Sequence, residues 1–264
     1  MTLDDWLDAC AEQPDDLTRQ AFADWLEERG ESDRAEFVRL QIELVRCKTR
    51  AWVKERRAQQ LLKRHRLTWV GPLRELAPAE AWEFHRGLPE RLVLHFHGLK
   101  EQDAARLAAS PLLARVKELN LRKNQIGVPG ARALAASPYA ARLTTLVLGS
   151  NQIGPRGAGL LAASPHLSRL QELNLWNNEI GNAAAQALAS SRSLDGLTRL
   201  DLEHNQITDQ GAEALANSRN RGRWTQLNLE DNQISYSGRQ ALQRVFGKRV
   251  RLDGQRSIHG RWMV

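Results

Sequence analysis

The side chains best suited to chemistry are few and scattered. His95 and His97 form the closest histidine pair. Residues two apart on a strand share a face, so both imidazoles could approach one metal ion. No cysteine lies near them, and His97 falls where other parts of the chain carry asparagine in a regular series, so a turn-stabilising role outweighs ligation and no metal is expected. Cys10 and Cys47 stand alone in apparent helices, a pattern that predicts free thiols in a reducing, cytoplasmic setting. The glycines fit neither standard phosphate-binding spacing. No Gly-x-Ser-x-Gly elbow occurs, and the acid pair Glu230-Asp231 falls on an expected strand edge. The reading is therefore non-enzymatic, with no cofactor.

The elements that must carry these residues are set by an internal repeat. Asn124, Asn151, Asn178, Asn205 and Asn232 recur every 27 residues. A Leu-x-Leu pair precedes each, as in Leu119 with Leu121 and Leu173 with Leu175, and an isoleucine follows two residues on. One period earlier stand Leu92, Leu94, His97 and Leu99, which gives six repeats, and a short strand near Val250 and Leu252 is expected to end them. The second half of each unit places Ala131, Leu134 and Ala135, and their equivalents, on one helical face. Ser-Pro pairs at 110–111, 137–138 and 164–165 stop the helices, since proline cannot donate. Gly130, Gly157, Gly211 and Gly238 are read as turns into the helix that need unusual backbone angles.

This strand–turn–helix unit resembles the leucine-rich repeat of the ribonuclease-inhibitor type over residues 91–252. The resemblance implies an α/β solenoid with a parallel sheet on its concave face. One unit cannot bury its own apolar surface, so neighbours must stack. The asparagines are expected to form a ladder that satisfies loop backbone groups.

Ahead of the repeats, three helices are expected. Leu3, Trp6, Leu7 and Cys10 have helical spacing behind a Thr2–Asp5 capping box. A second helix spans 17–29, ended by Gly30, and a third begins near Ser32 and continues through the basic stretch toward Arg66. The string Ala21–Leu44, with Trp69–Leu73 and Arg86–Pro89, resembles the bacterial repeat-companion domain. That family implies a partner for repeats, without a known activity. The expected organisation is an all-α cap module over 1–66, a connector over 67–90, the array over 91–252 and a basic tail over 253–264.

The composition, 42% hydrophobic and 26% charged, is that of an ordinary globular chain, and the acidic start lacks the features of a signal peptide. No apolar run is long enough for a membrane helix. The net charge of +7 is uneven: residues 1–45 carry 4 basic and 13 acidic side chains, residues 46–66 carry 9 basic and 1 acidic.

Alternation along the strands sends the leucines inward and their neighbours to the concave face. Arg122, Val147, Glu172, Asn174, Trp176, Arg199, Asp201, Glu203, Asn228 and Glu230 are thus the expected partner-binding residues. Trp176 is read as an exposed anchor between a basic start and an acidic end relieved only by Arg199. A protein partner is expected, engaging through a basic segment, with the chain itself a monomer. The alternative is nucleic acid held by Arg46, Lys48, Arg50, Lys54, Arg56, Arg57, Lys63, Arg64 and Arg66, with the C-terminal tail. Against it stands the prospect that this basic stretch pairs with the acidic segment before it. A regulatory subunit in a bacterial signalling or defence complex is a further alternative.

Overall fold

A computed structural model describes residues 1–13, 15–46 and 51–255. The expected contributions of Lys48, Arg50, Cys47 and most of the C-terminal tail lie outside the described residues. The chain divides into two compact units at the Leu92–Val93 boundary. No helix among the described residues is long and apolar enough to cross a membrane.

The first unit opens with α1 (Leu3–Glu12), α2 (Asp16–Glu28), α3 (Ser32–Arg46) and α4 (Ala51–Trp69). Thr2 and Asp5 form the capping box reciprocally, at 2.6 and 3.2 Å. Gly30 takes the left-handed conformation, φ +77°, that closes α2. Leu7, Cys10, Phe22, Leu26, Val38 and Ile42 pack into one buried cluster, and Phe37, Leu61, Leu62 and Trp69 into another. Each fully buried aliphatic side chain contributes about 1.5–3 kcal/mol.

The expected run of the third helix into the basic stretch does not occur. Instead α4 folds back along α3, and its cations meet acids in descending order: Lys54 with Glu43 at 2.8 Å, Arg57 with Glu36 at 2.5 Å and Arg64 with Asp33 at 3.5 Å. A continuous helix would have carried these opposite charges apart.

The segment expected as a connector closes the first unit with a hairpin, β1 (Trp82–His85) against β2 (Leu88–Val93). Its turn residues Arg86 and Gly87 both have positive φ, +48° and +89°, as a two-residue hairpin turn requires. A Cβ on Gly87 would stand 2.6 Å from Val38 Cγ2, so no larger residue fits. The hairpin is tied down by Arg19, a guanidinium only 1% exposed that lies 3.5 Å from the Glu90 carboxylate and donates to the Arg86 carbonyl at 3.3 Å.

The second unit repeats strand, turn and helix. The helices are α5 (Glu101–Ala108), α6 (Gly127–Ala136), α7 (Gly154–Ala162), α8 (Asn182–Ser190), α9 (Asp209–Ala216) and α10 (Tyr236–Phe246). The strands are β3 (Glu118–Asn120), β4 (Thr145–Val147), β5 (Glu172–Asn174), β6 (Arg199–Asp201), β7 (Gln226–Asn228) and β8 (Val250–Arg251). They pair in parallel in strict 27-residue register from β3 to β7, so Leu119, Leu146, Leu173, Leu200 and Leu227 stack in one buried row. Helices are about 10 Å wide and strands about 4.8 Å apart, so the strand side of the stack is its inner, concave side.

The asparagine row is buried and fully engaged. Asn178 Oδ1 accepts from the backbone N–H groups of Asn151 and Ile153 at 3.0 and 3.1 Å, while its Nδ2 donates to the Leu148 carbonyl at 2.9 Å. Asn124, Asn151, Asn205 and Asn232 repeat the pattern one unit away. Gln255 finishes it: its Oε1 accepts from Ile234 N–H at 3.0 Å and its Nε2 donates to the Leu229 carbonyl at 2.7 Å. A second row runs behind it, where Ser137, Ser164, Ser191 and Ser218 hydroxyls donate to helix-end carbonyls one repeat earlier, at 2.5–2.8 Å.

The helix glycines act through space and not through backbone angle. Gly157 and Gly211 have ordinary φ, yet a Cβ at Gly157 would meet Ile153 Cγ2 at 2.6 Å and Ala131 Cβ at 3.2 Å. At Gly211 it would meet Asn182 Oδ1 at 2.7 Å. That oxygen is occupied: it accepts from Thr208 and Gly211 N–H at 2.9 and 3.1 Å, so α8 caps the start of α9.

Two stability outcomes follow. Asn178→Ala strands two buried N–H donors, and urea unfolding followed by circular dichroism should show a loss of about 3 kcal/mol or more. Arg19→Met removes a buried ion-pair partner of the Glu90 carboxylate and should cost about 3 kcal/mol, most of it recovered in Arg19→Met/Glu90→Leu. Equal melting temperatures for the wild type and the Arg19→Met chain would contradict that account.

Candidate functional site

Each strand ends in the same way. The backbone leaves β geometry at a residue with positive φ directly before the ladder position: Phe96, Lys123, Ser150, Asn177, His204 and Asp231, at φ +50° to +59°. Non-glycine residues resist this conformation by roughly 1 kcal/mol or more. The return is a hydrogen bond in each repeat. Lys123 N–H donates to the Gly149 carbonyl, Ser150 to Trp176, Asn177 to Glu203, His204 to Glu230 and Asp231 to Asp253, all at 2.7–2.9 Å. These bonds align a column of side chains across the concave face: Arg122, Gly149, Trp176, Glu203, Glu230 and Asp253. The positive-φ residues form a parallel column along its edge.

Trp176 is half-buried, not the freely exposed anchor expected from its position. Its ring lies over Gly149, where a Cβ would come within 3.3 Å of Cε3. The Arg122 guanidinium covers it at 4.5 Å from the ring centroid, and the Lys123 ammonium stands 5.8 Å away. Lys123 also sits 4.4 Å over Phe96, which is 65% exposed, and His204 borders the indole on its other side at 6.1 Å. The start of the face is thus a chain of alternating cations and aromatic rings, each contact worth about 0.5–1 kcal/mol where exposed.

The inner column of expected contact residues is turned to structural use. Asn174 Oδ1 accepts from Trp176 N–H at 3.1 Å, Asp201 Oδ1 from Glu203 N–H at 3.0 Å and Asn228 Oδ1 from Glu230 N–H at 3.1 Å. Asn174 Nδ2 also donates to Asp201 Oδ2 at 2.6 Å, and Asn228 Nδ2 to Glu203 Oε2 at 2.8 Å. Asn228 is 4% exposed, so its place among surface contacts is corrected: its short side chain holds the strand end. Val147 lies half-buried in the same column.

The acidic end carries more compensation than Arg199 alone. Arg199 pairs with Glu172 at 2.6 Å, His204 Nδ1 meets Asp231 at 2.9 Å, and Arg251 stands 4.0 Å from Glu230. Glu203, His204 and Asp231 hold their ligand-type atoms within 4.8 Å of one another. Burial, then repulsion from Glu203 and Glu230, pushes the Asp201 carboxyl above its ordinary range, against the hydrogen bond from Glu203 N–H. Burial likewise raises Glu230, and Glu203, Asp253 and Asp231 add to the shift against the pull of Arg251. The His95–His97 pair offers no such cluster: both rings are exposed, and His97 Nδ1 lies 2.9 Å from the His95 carbonyl.

The basic alternative lies on the first unit. Arg46 pairs with Asp16 at 2.6 Å, and Lys54, Arg57 and Arg64 meet the α3 acids described above. Arg56 and Lys63 are exposed on α4, and Arg66 is half-buried.

Sequence reasoning did not find Asp253 or the role of Phe96. Asp253 follows a shortened last repeat that breaks the 27-residue count, and Phe96 occupies the column before the first ladder asparagine. The alignment of Phe96 with Lys123, one period on, was the available signal.

A folded-state carboxyl raised above its unfolded value stabilises below the unfolded pKa, and that contribution is lost as pH rises through the folded pKa. Ionised Glu230 therefore opposes folding at neutral pH. Glu230→Gln should raise the melting temperature at pH 7 in low salt by an amount equivalent to less than about 1 kcal/mol. The gain should shrink as pH falls through the raised folded-state pKa, vanish below the ordinary glutamate value of 4.5, and shrink in high salt. A gain that persists unchanged into acid would contradict the repulsion.

Five segments, residues 116–135, 142–162, 166–189, 197–216 and 225–242, match the family described as "Leucine Rich repeat". Among solved structures the chain is similar to an internalin from Listeria monocytogenes str. 4b F2365, at 22% identity, covering 54% of this chain and 36% of that one with a TM-score of 0.36. The chain spans well under two thirds of that protein. No curated protein matches the chain. The matched segments coincide with the units from β3 to α10. The architecture is a leucine-rich-repeat solenoid preceded by a helical region.

Proposed function

We propose that this chain is a non-enzymatic scaffold that binds another protein on the concave face of its repeats. One observation carries the reading: the outer two columns of the sheet add little to the core, yet they hold an aligned set of cations, aromatic rings and carboxylates. The inner columns are consumed by the leucine core, the ladder and the strand-end asparagines. The contrast separates what the fold needs from what it displays.

The clamp on Trp176 supports the same reading. A side chain fixed between Arg122, Gly149 and His204 has little rotamer freedom left to lose when a partner arrives, and such ordering otherwise costs about 0.5–1.5 kcal/mol per side chain. Trp and Arg are also the residue types that dominate binding energy at protein interfaces. The finer assignments, a ribonuclease-inhibitor-like repeat type and a repeat-companion module in the helical unit, belong to this proposal and fit a cytoplasmic adaptor. Nucleic-acid binding is the weaker reading, because Arg46, Lys54, Arg57 and Arg64 already face acids.

The test is recovery of tagged protein from its host at physiological salt, with and without nuclease. A stoichiometric protein should survive nuclease, be lost with Arg122→Glu/Trp176→Ala and be kept with Arg56→Glu/Lys63→Glu. Recovery dominated by nucleic acid and lost with the α4 variant would reverse the assignment. Unchanged circular dichroism and melting would show that each variant is folded.

A further inference from the structure

The two ends of the concave face differ in what they have left to offer. At the basic end, Arg122 and Lys123 lie against Trp176 and Phe96. At the acidic end, the column continues as Glu203, Glu230 and Asp253, each two residues beyond the end of one of three successive strands, joined in register by the His204–Glu230 and Asp231–Asp253 backbone bonds. Strands about 4.8 Å apart place these three carboxylates over about 10 Å, the reach of two or three neighbouring side chains on an extended peptide. Asp231 and Asp201 flank the row. Among the described residues Arg251 pairs with this row, 4.0 Å from Glu230 and 60% exposed, a weak pairing that an incoming group can displace.

Burial and mutual repulsion already weigh on this row, as the raised carboxyls of Asp201 and Glu230 indicate. Asn228 fixes Glu203 from below, at 2.8 Å from Oε2. The surroundings sharpen the contrast: the chain as a whole carries +7, so a cationic ligand is repelled in general and attracted here.

From this geometry we infer that the Glu203–Glu230–Asp253 column receives a lysine- and arginine-bearing segment of the partner protein, laid across β6 to β8 with its next residue against Trp176. The inference rests on the concave-face reading above and names the chemistry of the occupant. The partner's cations add to the weak countercharge of Arg251, and the indole clamped by Arg122 sets where the basic run must end. A basic residue placed over Trp176 would meet Arg122 and be rejected, which gives the segment a direction.

The experiment uses the full chain and a fluorescein-labelled Leu-Lys-Arg-Lys peptide, with a Leu-Glu-Asp-Glu peptide as counterpart, by fluorescence anisotropy at low salt with EDTA present. The basic peptide should bind, the acidic one should not, and affinity should fall with added salt. Glu203→Gln/Glu230→Gln/Asp253→Asn should weaken the basic peptide by about tenfold or more. A triple variant of equal charge change on other surfaces, Glu101→Gln/Asp195→Asn/Glu213→Gln, should bind as the wild type does. Equal binding by the column variant and the wild type, or equal loss in both triple variants, would overturn the inference. Absence of peptide binding alongside partner recovery that still depends on Arg122 and Trp176 would also overturn it, and would leave the concave-face reading standing.

Discussion

The second unit depends on one repeated interaction, the asparagine side chain that serves two repeats at once. A loop that turns sharply out of a three-residue strand leaves backbone donors and acceptors buried with no ladder partner. Such groups cost about 1–3 kcal/mol each when left unmade. Asn151 and Asn178 have the carbonyl and amide faces to satisfy both sides, and the 27-residue period places each within reach of the turn before it. Asparagine is short enough that the bond distances leave no slack. Gln255 shows the same logic at a different reach: the last repeat is shortened, and one extra methylene spans the difference.

Once the turns are held, the rest of the unit follows. Strands can be as short as three residues because their ends are tied by side chains. The helices can approach closely because alanine and glycine face the neighbouring helix, and the seryl hydroxyls and the Asn182 side chain satisfy helix ends one repeat away. The positive-φ residues are the cost of this arrangement, and their backbone bonds bring the displayed side chains into columns. The candidate binding surface is therefore a consequence of the same turn that stabilises the stack.

Legibility in the sequence tracked periodicity. Leucine pairs, ladder asparagines and the alanine face recur at a fixed interval, so strand, turn and helix could be placed without coordinates. The Thr2–Asp5 box and Gly30 were legible because capping is local. Features that break the period were not legible. Arg19 and Glu90 are far apart in sequence, and nothing local marks their meeting in the buried interior. The return of α4 along α3 was hidden because both segments read as helix and the intervening residues carry no strong breaker. Ser191 and Ser218 lack the proline that marked the earlier helix ends, yet their hydroxyls make the same bonds.

By itself, the sequence determined the solenoid, its period, the face each residue occupies and the presence of a separate helical region. Those properties follow from side-chain size and spacing, which act over one or two turns of chain. Only the tertiary structure decided which surface residues are available. Asn228 and Asp201 share the strand face with Glu203 and Glu230, but a hydrogen bond to a backbone N–H two residues on commits them to the strand end. Trp176 is clamped by Arg122 because residues 54 apart in the chain stand two strands apart in space. Availability is a matter of competing partners, and partners from other repeats become visible only when the stack has formed.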